Sequence, residues 1–87
     1  LGGYMPKITI YSTATCVYCK MLKSYLQSKD ISYDEKSADK DHNLAKELYE
    51  KSGQLGVPFT IIEKDDGSEE KILGFDRLQI DMALGLA

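Results

Sequence analysis

The sequence predicts a small α/β domain with the element order β-α-β-α-β-β-α: a four-stranded mixed sheet flanked by three helices. Three observations predict it. The hydrophobic pattern switches from strict alternation to helical spacing and back along the chain. A Val-Pro step opens a strand-like run in the second half. A "DDGS" turn then separates that run from a second one, as in an antiparallel hairpin.

The elements follow in order. "KITIY" (Lys7–Tyr11) alternates, with Ile8 and Ile10 on one face, and reads as a strand. After the polar "STAT" loop, Tyr18, Met21, Leu22, Tyr25 and Leu26 fall on one face of a helix running from Cys16 to about Lys29, with Thr15 as its N-cap. "SYDEK" (Ser32–Lys36) reads as a short edge strand. Asp39 is expected to cap a helix over 40–52, whose apolar face is Leu44, Ala45, Leu48 and Tyr49 and whose terminator is Gly53. "VPFTIIEK" becomes a strand just after Pro58, Asp65–Ser68 is the turn, and "EEKILGF" is the antiparallel partner. Asp76 caps a last helix, with Gln79 as its capping-box partner and Leu78, Ile80, Met82, Ala83 and Leu84 as apolar content. The first βαβ unit requires parallel strands and a right-handed crossover.

Composition narrows the function classes. The 87 residues suffice for one domain, and 43% hydrophobic with 29% charged residues argues against disorder. Residues 1–4 are set apart as an appended or disordered N-terminus, and 5–87 as the domain. The net charge is −3 and the cations are scattered, which disfavours nucleic-acid binding. No apolar run approaches the roughly 18 residues that span a bilayer, and no export signal is visible. Two cysteines without such a signal point to a reducing cytoplasm.

Both cysteines lie in "TCVYC", as Cys16 and Cys19. A structural staple is a poor explanation, since the loop it would close is tiny. A closed metal site needs about four N or S ligands. Only Cys16, Cys19 and His42 are available, and His42 reads as a solvated residue near a helix start. A redox pair fits best. Cys16 stands where a loop hands over to a helix, and the unpaired first-turn amides there stabilise a thiolate. Cys19, one turn in and more covered, suits the resolving role, while Lys20 and Lys23 add positive potential. Pro58 is either a strand-entry proline or a cis-proline beside a ligand. The Leu73–Asp76 segment is a strand-to-helix turn whose free amides could hold a carboxylate.

Together, "CVYC" after a strand, "SGQLGVPFTII" after the second helix and "LGFDRL" before the last resemble the glutaredoxins over about residues 6–85. The resemblance implies a thioredoxin fold and dithiol–disulfide exchange, with Cys16 attacking, Cys19 resolving and Pro58 in cis facing the pair. It implies a substrate frame of Tyr18, Gln54, Val57, Pro58, Gly74, Phe75 and Asp76. Val57 would pair through its backbone with a glutathione cysteine, and the Gly74–Asp76 turn would take the γ-glutamyl carboxylate. No bound cofactor is implied. The partners implied are disulfide-bearing proteins, with glutathione or thioredoxin reductase as reductant, acting on a monomer. The chain departs from the family at Val17, where proline is usual. It departs again at Thr13 and Leu55, where cations are common, at Gly56 in place of threonine, and in a single Gly74. The lost cations favour a flavoprotein reductase over glutathione. An iron–sulfur or zinc module is the alternative from another class.

Overall fold

The computed structural model describes residues 6–86; the segment set apart at 1–4 lies outside them. The chain forms β1 (Lys7–Ser12), α1 (Val17–Ser28), β2 (Asp34–Ser37), α2 (His42–Ser52), β3 (Phe59–Glu63), β4 (Glu69–Leu73) and α3 (Arg77–Leu84). The sheet order is β2-β1-β3-β4, with β1 parallel to β2 and antiparallel to β3, and β3 antiparallel to β4. β2 is an edge strand, as the sequence suggests.

Alternation along β1 and β3 divides the core between the two faces of the sheet. Ile8, Ile10, Ile62 and Ile72 meet Leu22 and Leu26 of α1 and Ile80 of α3 on one face. Tyr11, Phe59 and Ile61 meet Leu48 of α2 on the other. β3 sits between two neighbours and is covered on both faces, which explains its unbroken "FTII" run.

Stereochemistry fixes several boundaries where the sequence places them. Gly53 ends α2 at φ 78°, donating its N–H to the Tyr49 carbonyl at 2.8 Å. The β3–β4 turn is tied by Ser68, whose N–H and hydroxyl both donate to Asp66 Oδ1. Asp76 caps α3 by accepting from the Gln79 N–H at 3.1 Å.

Two caps differ from expectation. α1 is capped by Cys16, not Thr15, because Cys16 has the extended backbone (φ −81°, ψ 111°) from which a side chain reaches back to the first turn. α2 is capped by Asp41, which accepts from Asn43 N–H at 2.8 Å. Asp39 instead accepts from the Ala14 N–H at 3.0 Å, across to the loop before Cys16. The helix faces also differ. Tyr18, Met21, Tyr49, Leu78 and Met82 are exposed, and the buried stripe of α1 is Cys19, Leu22 and Leu26. Each helix rests one narrow stripe on a small sheet, which leaves flanking apolar residues uncovered.

Candidate active site

The site forms where β1 ends and α1 begins. The β1–α1 loop is pinned from two directions. Ser12 accepts the Ala38 N–H on its carbonyl at 2.8 Å, and Asp39 holds the Ala14 amide. The Thr13 carbonyl accepts the Cys16 N–H at 3.3 Å. These bonds set Cys16 at the helix entrance, half-buried, while Cys19 is fully buried one turn in.

The Cys16 sulfur is itself the N-capping group. It accepts the Cys19 N–H at 3.1 Å, so negative charge on this sulfur is met by an amide that the helix otherwise leaves unpaired. The Cys19 thiol is pushed up to about 12, chiefly by burial and then by its hydrogen bond with Cys16. The pair is therefore unequal: one sulfur is accessible and amide-supported, the other covered and held protonated.

The Val57–Pro58 peptide is cis. The Val57 carbonyl lies 3.8 Å from Cys16 Sγ and accepts from that thiol. The Pro58 carbonyl accepts the Gly74 N–H at 2.7 Å, which joins the proline loop to the turn before α3. Gly74 makes that turn at φ 83°, a conformation that favours glycine. Phe75 packs against Tyr25, with ring centroids 6.1 Å apart. A groove of about 500 Å³ lies along α1, lined by Val17, Lys20, Met21, Ser24, Tyr25 and Phe75.

The structure thus brings together Cys16, Cys19, Val57, Pro58 and Gly74 in one connected frame, with Phe75 on the groove wall. Tyr18 lies on the exposed side of the first helical turn. Gln54 is turned onto its own loop: its amide nitrogen donates to Ser52 Oγ at 3.1 Å and its Oε1 accepts from Gly56 N–H. A Cβ at residue 56 would stand 2.5 Å from that oxygen, so glycine here permits this arrangement. The Gly74 amide is already donated to Pro58, and Asp76 spends a carboxylate oxygen on its own helix. His42 is exposed at the start of α2.

Two features lie outside what the sequence predicts. One is the Asp39–Ala14 tether. The other is a polar cluster at Lys23, one turn past Cys19 on α1, in which Glu35 accepts from Lys23 at 2.7 Å and from buried Ser12 at 2.6 Å. Lys23 stands four residues after Cys19, a helical spacing that the sequence does display; its partner on β2 comes only with the parallel pairing.

A Cys-x-x-Cys pair at a helix start, beside a cis-proline at the head of a sheet strand, defines a dithiol site on a thioredoxin-like fold. The glutaredoxin family model matches residues 8–66. A glutaredoxin-like 8.6 kDa protein of the rubredoxin operon of Clostridium pasteurianum is 40% identical over 74 residues, covering 85% of this chain and 92% of its own. The glutaredoxin-like protein NrdH of Lactococcus lactis is 34% identical over 59 residues, 68% of this chain and 78% of that one. The crystal structure of methanoredoxin from Methanosarcina acetivorans superposes with a TM-score of 0.78 at 26% identity, covering 95% of each chain. The chain belongs to the glutaredoxin family.

Proposed function

We propose that this protein is a dithiol–disulfide oxidoreductase that reduces disulfides of proteins and mixed disulfides of glutathione in the cytoplasm, acting as a monomer. The observation that carries the reading is the asymmetry of the pair: an accessible Cys16 sulfur capping α1 through the Cys19 N–H at 3.1 Å, over a buried Cys19. The Cys16 thiolate attacks a substrate disulfide, a Cys16 mixed disulfide forms and one substrate thiolate leaves. Cys19 then attacks the Cys16 sulfur, the second substrate thiolate leaves and the enzyme disulfide forms. Val57 and Pro58 present backbone to the substrate beside Cys16. Gly74, Phe75 and Asp76 close the frame opposite, and Tyr18 and Gln54 lie at its margins. Among the described residues no helix is long and apolar enough to cross a membrane.

Thr13 and Leu55 favour one particular reductant. Neither is charged, and Leu55 is exposed. A charge-assisted hydrogen bond is typically worth about 1.5–3 kcal/mol. Two missing cations therefore weaken the hold on glutathione carboxylates and favour electrons from a thioredoxin-reductase-type flavoprotein. The test supplies oxidised protein with either glutathione and its reductase, or thioredoxin reductase, and follows NADPH loss. Turnover with the second system, well above the first, is the expected result. Turnover with glutathione alone would overturn the choice of reductant, and turnover with neither would overturn the exchange reading.

A further inference from the structure

The buried stripe of α1 is apolar except at its rim, where Lys23 follows Cys19 by four residues and so shares its face. A lysine there is not explained by packing. Its side chain is only 24% exposed, and its ammonium lies 2.7 Å from Glu35 Oε2. The same oxygen accepts the hydroxyl of Ser12, which is 1% exposed, at 2.6 Å. Ser12 ends β1 and Glu35 lies on β2, so two paired strands fix the position of the cation.

Cys19 is influenced by the Cys16 sulfur, the backbone of Thr13 and, one helical turn on, the ammonium of Lys23. Lys23 is faced by Glu35, Tyr33 and Cys19, and Glu35 by Lys23, Ser12 and Lys40. Burial and Cys16 both oppose charge on Cys19; the Thr13 backbone and, more weakly, Lys23 act the other way. Glu35 keeps Lys23 protonated, raising its affinity for the proton above the ordinary value.

Cys19 needs negative charge in one step only. We propose that Lys23, clamped by Glu35 and Ser12, is a positioning residue for resolution: its ammonium holds positive charge against the Cys19 sulfur as that sulfur attacks the Cys16 mixed disulfide. The inference rests on the exchange reading above. Cys19 first gives its proton to solvent. Its sulfur then bonds to the Cys16 sulfur, the bond from Cys16 to substrate breaks, and the substrate leaves as a thiolate that solvent protonates. Enzyme dithiol is oxidised by two electrons and substrate disulfide is reduced by two.

Dithiobis(nitrobenzoate) separates the steps. Reduced protein releases one coloured thiolate as Cys16 attacks and a second as Cys19 resolves. With Lys23→Met, the pH profile of the second phase should move upward by about 0.5–1 unit, a roughly three- to tenfold slowing near neutral pH. Lys23→Arg should restore the wild-type profile. Where Met impairs folding, Lys23→Gln makes the same comparison. A biphasic wild type whose second-phase profile is unchanged by Lys23→Met, or is shifted as far by Lys23→Arg, overturns the role of Lys23 alone. A wild type with no second release overturns the exchange reading and this inference with it.

Discussion

The Cys16 sulfur accepts the backbone N–H of Cys19 at 3.1 Å, so the residue assigned to attack is also the N-cap of the helix that carries its partner. Chemistry and helix capping depend on one atom. Serine keeps a capping oxygen at that position, and alanine does not. Cys16→Ala should therefore lose about 1 kcal/mol more stability than Cys16→Ser, while both lose exchange activity. Denaturant titration of the two variants, with equal slopes, checks this. Equal stabilities would mean that the sulfur contributes nothing as a cap.

The loop that delivers Cys16 is held by Asp39 from across the sheet edge, through Ala14 at 3.0 Å. Asp41, two residues on, caps α2. The two aspartates should separate in a mutant pair. Asp41→Ala should cost about 1 kcal/mol of stability and leave the rate of Cys16 attack near wild type. Asp39→Ala should slow that attack severalfold by loosening the loop. Stopped-flow rates with a small disulfide, beside thermal melts, distinguish them. The reverse pattern would contradict the tether.

Protonation of Cys19 links the site to stability. Its folded value is pushed from the ordinary 9.0 to about 12, mainly by burial. A group that holds its proton more tightly when folded stabilises the fold fully below its unfolded value. That contribution is lost as pH rises from about 9 toward 12, by up to about 1.4 kcal/mol per pH unit for one proton. Melting temperatures of the reduced protein should fall across this range, and less steeply in Cys19→Ala. Tyr11, raised by burial and then by Glu47, acts in the same sense at higher pH. Glu35 and Glu47 act at the other end. Hydrogen bonds from Lys23 and Ser12, and from Lys36 and Tyr11, hold their carboxyls below the ordinary 4.5, so their contribution is present above that value and is lost as pH falls through the depressed one. Glu47→Gln should flatten the acid side of the curve. A slope unchanged in these variants would refute the assignment.

Thr60 lies on the central strand β3, 1% exposed, and its hydroxyl has no hydrogen-bond partner among the described residues. An unmet buried hydroxyl is destabilising, and valine has nearly the same shape. Thr60→Val should raise stability by about 1 kcal/mol without changing exchange rates. A loss of stability would show that the hydroxyl is satisfied in solution.

Much of this architecture is legible in the sequence where one residue's stereochemistry decides the outcome. Gly53 supplies a left-handed helix end, Asp66 and Gly67 close a hairpin, Asp76 caps α3, and Pro58 marks the approach to β3. Cys16 and Cys19 are legible as unequal because a helix start and its first turn differ in exposure. Where several residues compete for one role, tertiary contacts choose. Thr15 and Cys16 are adjacent candidates for one cap, as Asp39 and Asp41 are for another, and Asp39 is drawn away by an amide 25 positions distant. The exposure of Tyr18, Met21, Leu78 and Met82 depends on how little of each helix the sheet can cover. The Lys23–Glu35–Ser12 cluster needs the register of β1 against β2, which no local pattern encodes.

The division of labour between Cys16 and Cys19 is tested most directly by trapping the mixed disulfide. Cys19→Ser and Cys16→Ser variants are each mixed with a small disulfide, and the adduct is located by mass spectrometry of peptides. A rapid, stable adduct on Cys16 in the first variant, and almost none on Cys19 in the second, is the expected result. A fast adduct on Cys19 in the absence of Cys16 would contradict it.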